Sequence, residues 1–547
     1  MGLAGWYNSY LDTVHYHTHY ILAFVLYAED LRLHTIKIPT IMSRSARIAK
    51  NTAYLYFRML LIMGIQFFTV RVTLKYLGVV DYGIYNVVCG VTNIFTFLTH
   101  TMTSASQRFL AFDMGRNDEV RLKQMFDTLV ALFSTGGFVA VALFAIGGFW
   151  FIENYLVIPA DRIDAALFAF FFTIIALYVS VVVLPYNSLI VAHEDMKAFA
   201  YVSILDAALK LAIVYCLVIT PFDRLKTYAL LMFAAYLLPA VITVLFCFRK
   251  YSEVTIKWNI DWSLSRKVLP FMSWNLLGGI SWMLCTQGLS ILINLFFGPV
   301  ANAAKAIADK VNGAVNGFSN NFMMAVQPQV VKLYAADNLV EMHKMFYMAS
   351  KLSFYLMLII VLPVVFNADG LLDLWLASHD RLTTYMLQCV LLFSFISSLE
   401  VPINQAIRAT GDIRNYQVYV GLLTFMVIPV AYIFFKSGLP AYFGYIALIM
   451  VYSLALVARL HYLRKQIKIT YRMYYRNVFI KCFICLMTAS VLIYFVTETC
   501  KQISVYDIFI WVICVALSGI VVIIMGLSRR EKTYVVQRIK NMYYKNR

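Results

Sequence analysis

The segment PYNSLIVAHED at residues 185–195 has a counterpart, PINQAIRATGD, at residues 402–412. The two segments share the pattern Pro-x-Asn-x4-Ala-x2-Asp, which aligns Pro185 with Pro402. A longer pair, residues 77–126 and 297–346, aligns without gaps. The separation between the copies is nearly the same for both pairs, and the pairs occur in the same order in each half. This arrangement indicates an internal duplication.

The duplicated segments lie in a chain whose composition is that of an integral membrane protein. Of its 547 residues, 62% are hydrophobic and only 14% are charged. Soluble domains are about 45–50% apolar and about 25% charged. A soluble chain of this composition would expose far too much apolar surface to water. The composition therefore excludes a set of soluble domains.

Apolar runs of about 20 residues, the length that crosses a bilayer as a helix, recur along the chain and predict an all-α, polytopic fold with about 14 spans. Six spans per repeat, an even number, give both copies the same orientation, as in transporters built from parallel repeats. We expect an N-terminal lobe at residues 43–250, a C-terminal lobe at 251–466, and two extra helices with a basic tail at 467–547. The predicted spans are centred near residues 65, 95, 140, 175, 207, 237, 283, 315, 358, 395, 425, 451, 485 and 516.

Residues 1–42 do not share the pattern of the rest. They contain the run His15, His17 and His19 and one short apolar stretch, too short to span a bilayer. We interpret them as an N-terminal extension, either a disordered tail or a mis-called start. Three histidines without further ligands are weak evidence for a metal. Cys482 and Cys485 form a CxxC inside an apolar run, which favours packing over metal binding.

The net charge of +18 is concentrated in the loops. We interpret this charge as a determinant of orientation in the membrane rather than as a nucleic-acid-binding surface, because the cytoplasmic loops of membrane proteins are rich in Lys and Arg. The loops that follow even-numbered spans hold most of the cations, which places both termini in the cytoplasm. Their basic residues include Arg108, Arg116, Arg121, Lys123, Arg249, Lys250, Lys257, Arg266, Lys267, Arg459, Arg464, Lys465, Lys468, Arg472 and Arg476.

Polar residues inside spans are costly and mark functional positions. In the eighth span they recur at helical spacing on one face. The corresponding face of the second span is also polar, so the two predict the walls of a hydrated cavity. Hydrogen bonding between helices in a dry interface is the alternative. The predicted polar stripe comprises Thr92, Thr96, His100, Gln107, Asn312, Asn316, Asn320, Gln327 and Asn404.

Charged residues at membrane depth are mostly cationic. We count six cations against three anions, the cations being the five below and Lys210, and the anions Asp206, Asp309 and Glu400. This bias favours an anionic substrate such as a phosphate or pyrophosphate. Asp309 and Glu400 are candidates for ion coupling or for salt bridges, and Asp206 is expected to pair with Lys210. The candidate anion-binding residues are Arg58, Arg71, Lys75, Lys305 and Arg408.

Several motifs resemble the polysaccharide-transporter branch of the multidrug/oligosaccharidyl-lipid/polysaccharide exporter superfamily. They are LGVVDYGIYNVV at residues 77–88, SASQRFLAFDMG at 104–115, and AIADKVNGAVNGFSNNF at 306–322 with the following QPQVVKLYA. The likeness is closest to Wzx-type O-antigen and lipopolysaccharide flippases and spans roughly residues 43–530. Residues 1–41 depart from the family pattern.

The resemblance implies a multi-pass protein of the bacterial inner membrane that works by alternating access. Its substrate would be an undecaprenyl-pyrophosphate-linked oligosaccharide, moved from the cytoplasmic to the periplasmic leaflet for surface polysaccharide synthesis. Membrane lipids and other polysaccharide-assembly proteins are candidate partners. We expect no cofactor apart from a coupling ion, either a proton or sodium.

Other functions fit the sequence less well. A cation-coupled multidrug antiporter of the same fold is the alternative, although its expected acidic, aromatic-lined pocket is not evident in the sequence. An enzyme is not expected, because the chain has no large extramembrane loop and no clustered acid/base site. Direct coupling to ATP is not expected either, since the pattern GxxxxGK[ST] does not occur.

Overall fold

The computed structural model describes residues 44–77, 81, 84–85, 88, 95–155, 158–219, 222–255, 260–375, 380–502 and 507–527. The described residues are helical almost throughout and include no strand. Contacts divide the chain into two compact units, Met1–Ala49 and Lys50–Arg547. The predicted N-terminal extension, with its three histidines, lies outside the described residues.

Six long helices lie among the described residues of the N-terminal half. A short 3-10 turn, Ala160–Arg162, precedes the fourth of them. The Asp223 side chain caps the sixth by accepting a hydrogen bond from the backbone N–H of Lys226. The helices are α1 (Arg44–Leu77), α2 (Thr96–Gly115), α3 (Glu119–Tyr155), α4 (Ile163–Ala192), α5 (Met196–Ile219) and α6 (Arg224–Lys250).

The C-terminal half begins with a 74-residue helix that contains one non-helical residue, Gly298, with φ of 79°. This left-handed conformation, which glycine adopts readily, divides the helix into two arms. The helices are α7 (Trp262–Ala335), α8 (Leu339–Phe366), α9 (Ala368–Trp375), α10 (Arg381–Thr410), α11 (Arg414–Phe425), α12 (Val427–Lys436), α13 (Phe443–Ile467), α14 (Tyr471–Tyr474), α15 (Ile480–Gln502) and α16 (Asp507–Val521).

Eleven helical segments among the described residues are long and apolar enough to cross a membrane. The helices α1 and α2 and the second arm of α7 are not among the eleven. The predicted span centres fall within described helices, except residue 95, which lies directly before α2. The predicted all-α, polytopic membrane fold is confirmed.

Helix ends recur at aligned positions of the sequence duplication. The described part of α1 extends to Leu77, and α7 breaks at Gly298, directly after the residue that aligns with Leu77. The last residue of α2, Gly115, likewise aligns with Ala335, the last residue of α7. The non-glycine residues just beyond these two ends, Asn117 and Asp337, share a φ of 54°. The backbone therefore supports the duplication seen in the sequence.

Packing within each half is more extensive than packing across the chain. In the N-terminal half, α4 packs against α2, α3 and α6. In the C-terminal half, α10 packs against α7, α8 and α13, while α15 and α16 pack against α8. Between the halves, α2 packs along α7 and touches α10. The lobe boundaries near residues 250 and 466 stay predictions.

Candidate functional site

A cavity of about 440 Å³ lies between α2 and four helices of the C-terminal half: α7, α10, α11 and α13. Polar and charged side chains from all five helices line it. A cavity of this volume is within the range of small-ligand sites, which is about 300–1,000 Å³. The cavity therefore lies between one helix of the N-terminal half and four helices of the C-terminal half.

Close contact between α7 and α11 shapes one side of the cavity. A Cβ atom on Gly278 would overlap the Gln417 side chain, and a Cβ on Gly421 would lie 2.9 Å from the Ser281 hydroxyl. Glycine at these positions lets the two helices approach closely. The Gln417 amide donates to the Asn275 Oδ1 at 3.3 Å, which fixes two amides in the cavity wall.

An ion pair lies on the opposite wall. Arg459 Nη2 of α13 is 2.6 Å from Glu400 Oε1 of α10, and their side chains are only 5% and 14% exposed. Asn404 Nδ2 donates to the same carboxylate oxygen at 3.2 Å. The Tyr416 hydroxyl donates to Asn404 Oδ1 and accepts from Arg459 Nε at 3.2 Å. These bonds join α10, α11 and α13.

A second arginine lies near α2. Arg408 Nη1 donates to the Ser104 hydroxyl at 3.4 Å, a long hydrogen bond between the two halves of the chain. The cavity lining therefore carries two guanidinium groups, Arg408 and Arg459, and one carboxylate, Glu400. Because Glu400 is already paired, the arrangement leaves a net charge of +1 from these three groups.

Aromatic rings complete the cavity. The Trp282 and Tyr452 rings meet edge to face with centroids 5.8 Å apart. The Arg459 guanidinium lies 5.4 Å from the centroid of the Tyr452 ring, within the range of cation–π contact. Tyr452 is buried, whereas Trp282 is 46% exposed. Trp282 thus offers an open aromatic face beside the charged groups.

Four of the residues predicted from the sequence line this cavity: His100, Glu400, Asn404 and Arg408. They come from two spans that are far apart in sequence, α2 and α10, and no residue of the eighth-span stripe is among the described lining residues. The roles assigned to them remain predictions.

Lys305 and Asp309 lie away from this cavity. Their side chains form an ion pair at 2.6 Å, one helical turn apart. The Tyr445 hydroxyl donates to the second oxygen of Asp309 at 2.8 Å. The predicted anion site therefore does not bring Lys305 together with Arg408, and the predicted coupling residue Asp309 is held by α13 instead.

Arg58 is held by a different set of partners. Its guanidinium donates to the Ser203 hydroxyl at 3.2 Å and to Asn321 Oδ1 at 2.9 Å, and it lies 4.8 Å from the Phe199 ring centroid. These contacts join α1, α5 and the second arm of α7. As expected, Lys210 pairs with Asp206, at 2.7 Å.

The remaining residues of the predicted polar stripe differ in their hydrogen bonds and in their exposure. Asn312 Oδ1 accepts from Asn316 and from the Ser394 hydroxyl of α10, at 2.8 and 2.6 Å. At this point the stripe forms hydrogen bonds between helices, the alternative considered for it above. Asn320 is exposed, Gln327 is buried and Gln107 is half-buried. The side chains of Arg71, Lys75 and Thr96, and the whole of Thr92, lie outside the described part of the structure.

Sequence analysis missed several residues of the cavity. The most consequential is Arg459, which was assigned to a loop but lies inside α13, well before the end of that helix at Ile467, and is 4% exposed. Its signal was the length of the span: a helix of 25 residues around residue 451 includes position 459. Other missed lining residues are Ser104, Asn275, Trp282, Tyr416, Gln417 and Tyr452.

Comparison with known proteins gives a family match within the C-terminal half. Residues 276–433 match the MatE family model, well under half of the chain. This segment contains part of α7 and all of α8 to α11, and thus much of the cavity wall. No curated protein matches the chain by sequence.

Solved structures give a likeness over most of the chain. A MATE protein in complex with MaD3S has a TM-score of 0.66 and 13% identity, with 77% of this chain and 96% of the other covered. A multidrug resistance MATE family transporter in an outward-facing conformation has a TM-score of 0.65 and 15% identity at the same coverage.

A third similar structure is a MOP superfamily transporter from Pyrococcus furiosus, for which a reverse polarity of the binding pocket suggests a different function. It has a TM-score of 0.65 and 14% identity, with 77% of this chain and 96% of the other covered. At identities this low, the structural likeness establishes the fold alone. Residues 276–433 therefore match the MatE family model, and the chain has the fold seen in MATE transporters.

Proposed function

We propose that the chain is a secondary transporter whose cavity between α2 and the C-terminal half receives the anionic group of its substrate. The observation that carries this proposal is the charge of the cavity: Arg408 and Arg459 line it, against the single carboxylate of Glu400. Arginine pairs well with phosphate, because its planar fork of donors matches two oxygens at once.

The rest of the lining supports a substrate that carries sugars as well as phosphate. Asn275 and Gln417 present amide groups, which donate to and accept from sugar hydroxyls. Trp282 presents a partly exposed aromatic face of the kind that packs against the apolar face of a sugar ring. Charged, amide and aromatic groups within one cavity suit a glycosylated phosphate better than a simple anion.

These features favour a flippase for an undecaprenyl-pyrophosphate-linked oligosaccharide. The pyrophosphate would contact the arginines, the sugars would contact the amides, and the prenyl chain would remain in lipid. Movement would run from the cytoplasmic to the periplasmic leaflet of a bacterial inner membrane, with both termini cytoplasmic. The sequence motifs at residues 77–88, 104–115 and 306–322 support this branch of the superfamily.

A cation-coupled multidrug antiporter is the second candidate. The MatE match and the fold likeness to a multidrug resistance transporter support it more directly than they support glycolipid transport. An antiporter of cationic drugs would be expected to present unpaired carboxylates, whereas Glu400 is paired to Arg459. The Pyrococcus furiosus transporter with a pocket of reverse polarity is a precedent for different pocket charges on this fold.

Reconstitution tests the two candidates against each other. Liposomes that contain the purified protein would be loaded with a short undecaprenyl-pyrophosphate oligosaccharide and, in parallel, with a fluorescent cationic dye. Glycolipid exchange between leaflets without dye movement is the expected result. Dye movement driven by a proton or sodium gradient, without glycolipid exchange, would establish the antiporter instead.

A further inference from the structure

The Glu400–Arg459 pair places a carboxylate where the proposed substrate would place its phosphate. The pair joins atoms 2.6 Å apart in a cavity wall, and both side chains are largely shielded from solvent. Arg459 Nη1 is buried and has no hydrogen-bond partner in the described part of the structure. Arg459 therefore keeps an unused donor beside the one that Glu400 occupies.

We infer that Glu400 is a built-in competitor of the substrate and that the anionic group of the substrate displaces it from Arg459, whereupon Glu400 takes up a proton. This inference rests on the proposed anion-binding function and names the class of ligand more narrowly. The ligand is a phosphate ester or pyrophosphate, which carries more negative charge than the carboxylate that it replaces.

Electrostatics favours the uptake of this proton by Glu400. If a pyrophosphate occupied Arg459 while Glu400 stayed ionised, two like charges would lie within a few ångströms in a poorly solvated site. Such carboxylates are neutralised by protonation, since a buried charge without a counter-ion is very costly. Asn404, already within 3.2 Å of Glu400, remains as a hydrogen-bond partner for the neutral carboxyl group.

The titratable and charged groups around Glu400 support this exchange and define its controls. Arg408 lies on the same helix, Tyr416 on α11, and Tyr452 on α13 beside Arg459, while His100 faces the cavity from α2. His100 is a further titratable side chain of the cavity lining. It must be separated from Glu400 in any measurement of proton uptake.

The competition between Glu400 and the ligand for Arg459 also explains why the cavity would select pyrophosphate over a monocarboxylate. Glu400 is tethered, so its effective concentration at Arg459 is high, on the order of millimolar or above. A free monocarboxylate has the same charge and shape and does not displace it. A pyrophosphate gains bidentate contacts to Arg459 and an attraction to Arg408, so it does.

Calorimetry with inorganic pyrophosphate tests the inference on the full-length protein in detergent. Titrations in two buffers of different ionisation enthalpy give the number of protons taken up per ligand bound. Because pyrophosphate itself titrates near neutral pH, the expected result is a difference: wild type takes up about one proton more per ligand bound than Glu400→Gln, and its affinity relative to that variant falls as the pH rises. Acetate is expected not to bind.

Two variants isolate the source of the proton. Glu400→Gln is expected to bind pyrophosphate more tightly than wild type at pH 8 and to lose the additional proton uptake, so that only the proton exchange of pyrophosphate itself remains. Asp309→Asn is expected to retain the wild-type proton uptake, because Asp309 pairs with Lys305 outside the cavity.

The possible results separate this inference from the function on which it rests. Equal proton uptake by wild type and Glu400→Gln would overturn the role of Glu400 while leaving anion binding intact. Absence of pyrophosphate binding to wild type at every pH would overturn the anion-binding function itself, and this inference with it.

Discussion

Burial of Arg459 strengthens the attraction between its guanidinium group and an anion in the cavity. It lies inside α13, pairs with Glu400 and packs over Tyr452. A cation in a cytoplasmic loop only orients the chain in the membrane. A cation in a cavity wall, largely shielded from water, attracts an anion strongly, because the effective dielectric there is lower.

Removing the charge of Arg459 is therefore expected to weaken anion binding. Arg459→Gln should lower the affinity for inorganic pyrophosphate by about tenfold or more, since a charge-assisted hydrogen bond is worth roughly 1.5–3 kcal/mol. Arg464→Gln is the matched control, because Arg464 lies on the same helix but is exposed. Calorimetry at one fixed pH measures both. Equal affinities for the two variants would contradict the account.

The sequence predicted part of this residue-level picture. Glu400, Asn404 and Arg408 lie on one predicted span and were identified because polar residues in spans are costly. Arg58 and Lys305 were identified for the same reason, yet each is held by partners outside the cavity. Hydropathy identifies a residue as buried in the membrane, but only the packing of neighbouring helices decides which side chains it meets.

At the scale of helices, two turns join the halves of the chain at one end. Glu194, in the turn between α4 and α5, accepts from Gln329 at 2.6 Å and Lys332 at 2.8 Å on α7. Arg108 of α2 donates to the Thr410 carbonyl at 3.4 Å, at the end of α10. We call these two contacts the interhalf latch.

The latch follows the internal duplication. Glu194 and Gly411 occupy equivalent positions, because each directly precedes the aspartate that ends the shared Pro-x-Asn-x4-Ala-x2-Asp pattern. Both have positive φ, at 63° and 84°. A Cβ on Gly411 would collide with the Arg108 guanidinium, which explains glycine at this position. Each half therefore uses the same turn to contact a helix of the other half.

Breaking the latch should destabilise the conformation described here. Lys332→Gln removes a charge-assisted hydrogen bond to the Glu194 side chain, which is 1% exposed, and roughly 1.5–3 kcal/mol of stability should be lost. Unfolding in mixed micelles with increasing dodecyl sulfate measures the loss.

The control for this prediction is a surface pair on the next helix. Lys344 and Glu341 form an ion pair at 2.7 Å with side chains 68% and 46% exposed. Because exposed pairs contribute little, Lys344→Gln should unfold like wild type. A latch variant as stable as Lys344→Gln would show that the contact between Glu194 and Lys332 does not hold the halves together.

At the scale of the whole molecule, the sequence predicted the fold more completely than it predicted the residues of the cavity. Hydropathy predicted the helical membrane fold, and the structure adds a break of α7 at Gly298 and a helix end at Ala335 within the second copy of the duplication. Helix ends recur at aligned positions because the two copies share the same pattern of apolar and turn-forming residues. The cavity could not be predicted in the same way, because its five helices come from both halves and meet only in three dimensions.

The sign of the potential inside this cavity is the central claim, and thiol labelling at His100 measures it most directly. His100 is exposed and lines the cavity, so a cysteine in its place is accessible to small reagents. Negatively and positively charged methanethiosulfonates would be compared on His100→Cys, with mass spectrometry to identify the labelled site and with glutathione as the reference thiol.

The account predicts that the negatively charged reagent labels His100→Cys faster than the positively charged one, relative to glutathione, and that inorganic pyrophosphate slows the reaction. Charge-guided approach of this kind weakens with salt, so the preference should shrink as ionic strength rises. Faster labelling by the positively charged reagent, with protection by a cationic dye, would contradict the anionic substrate and favour the multidrug antiporter.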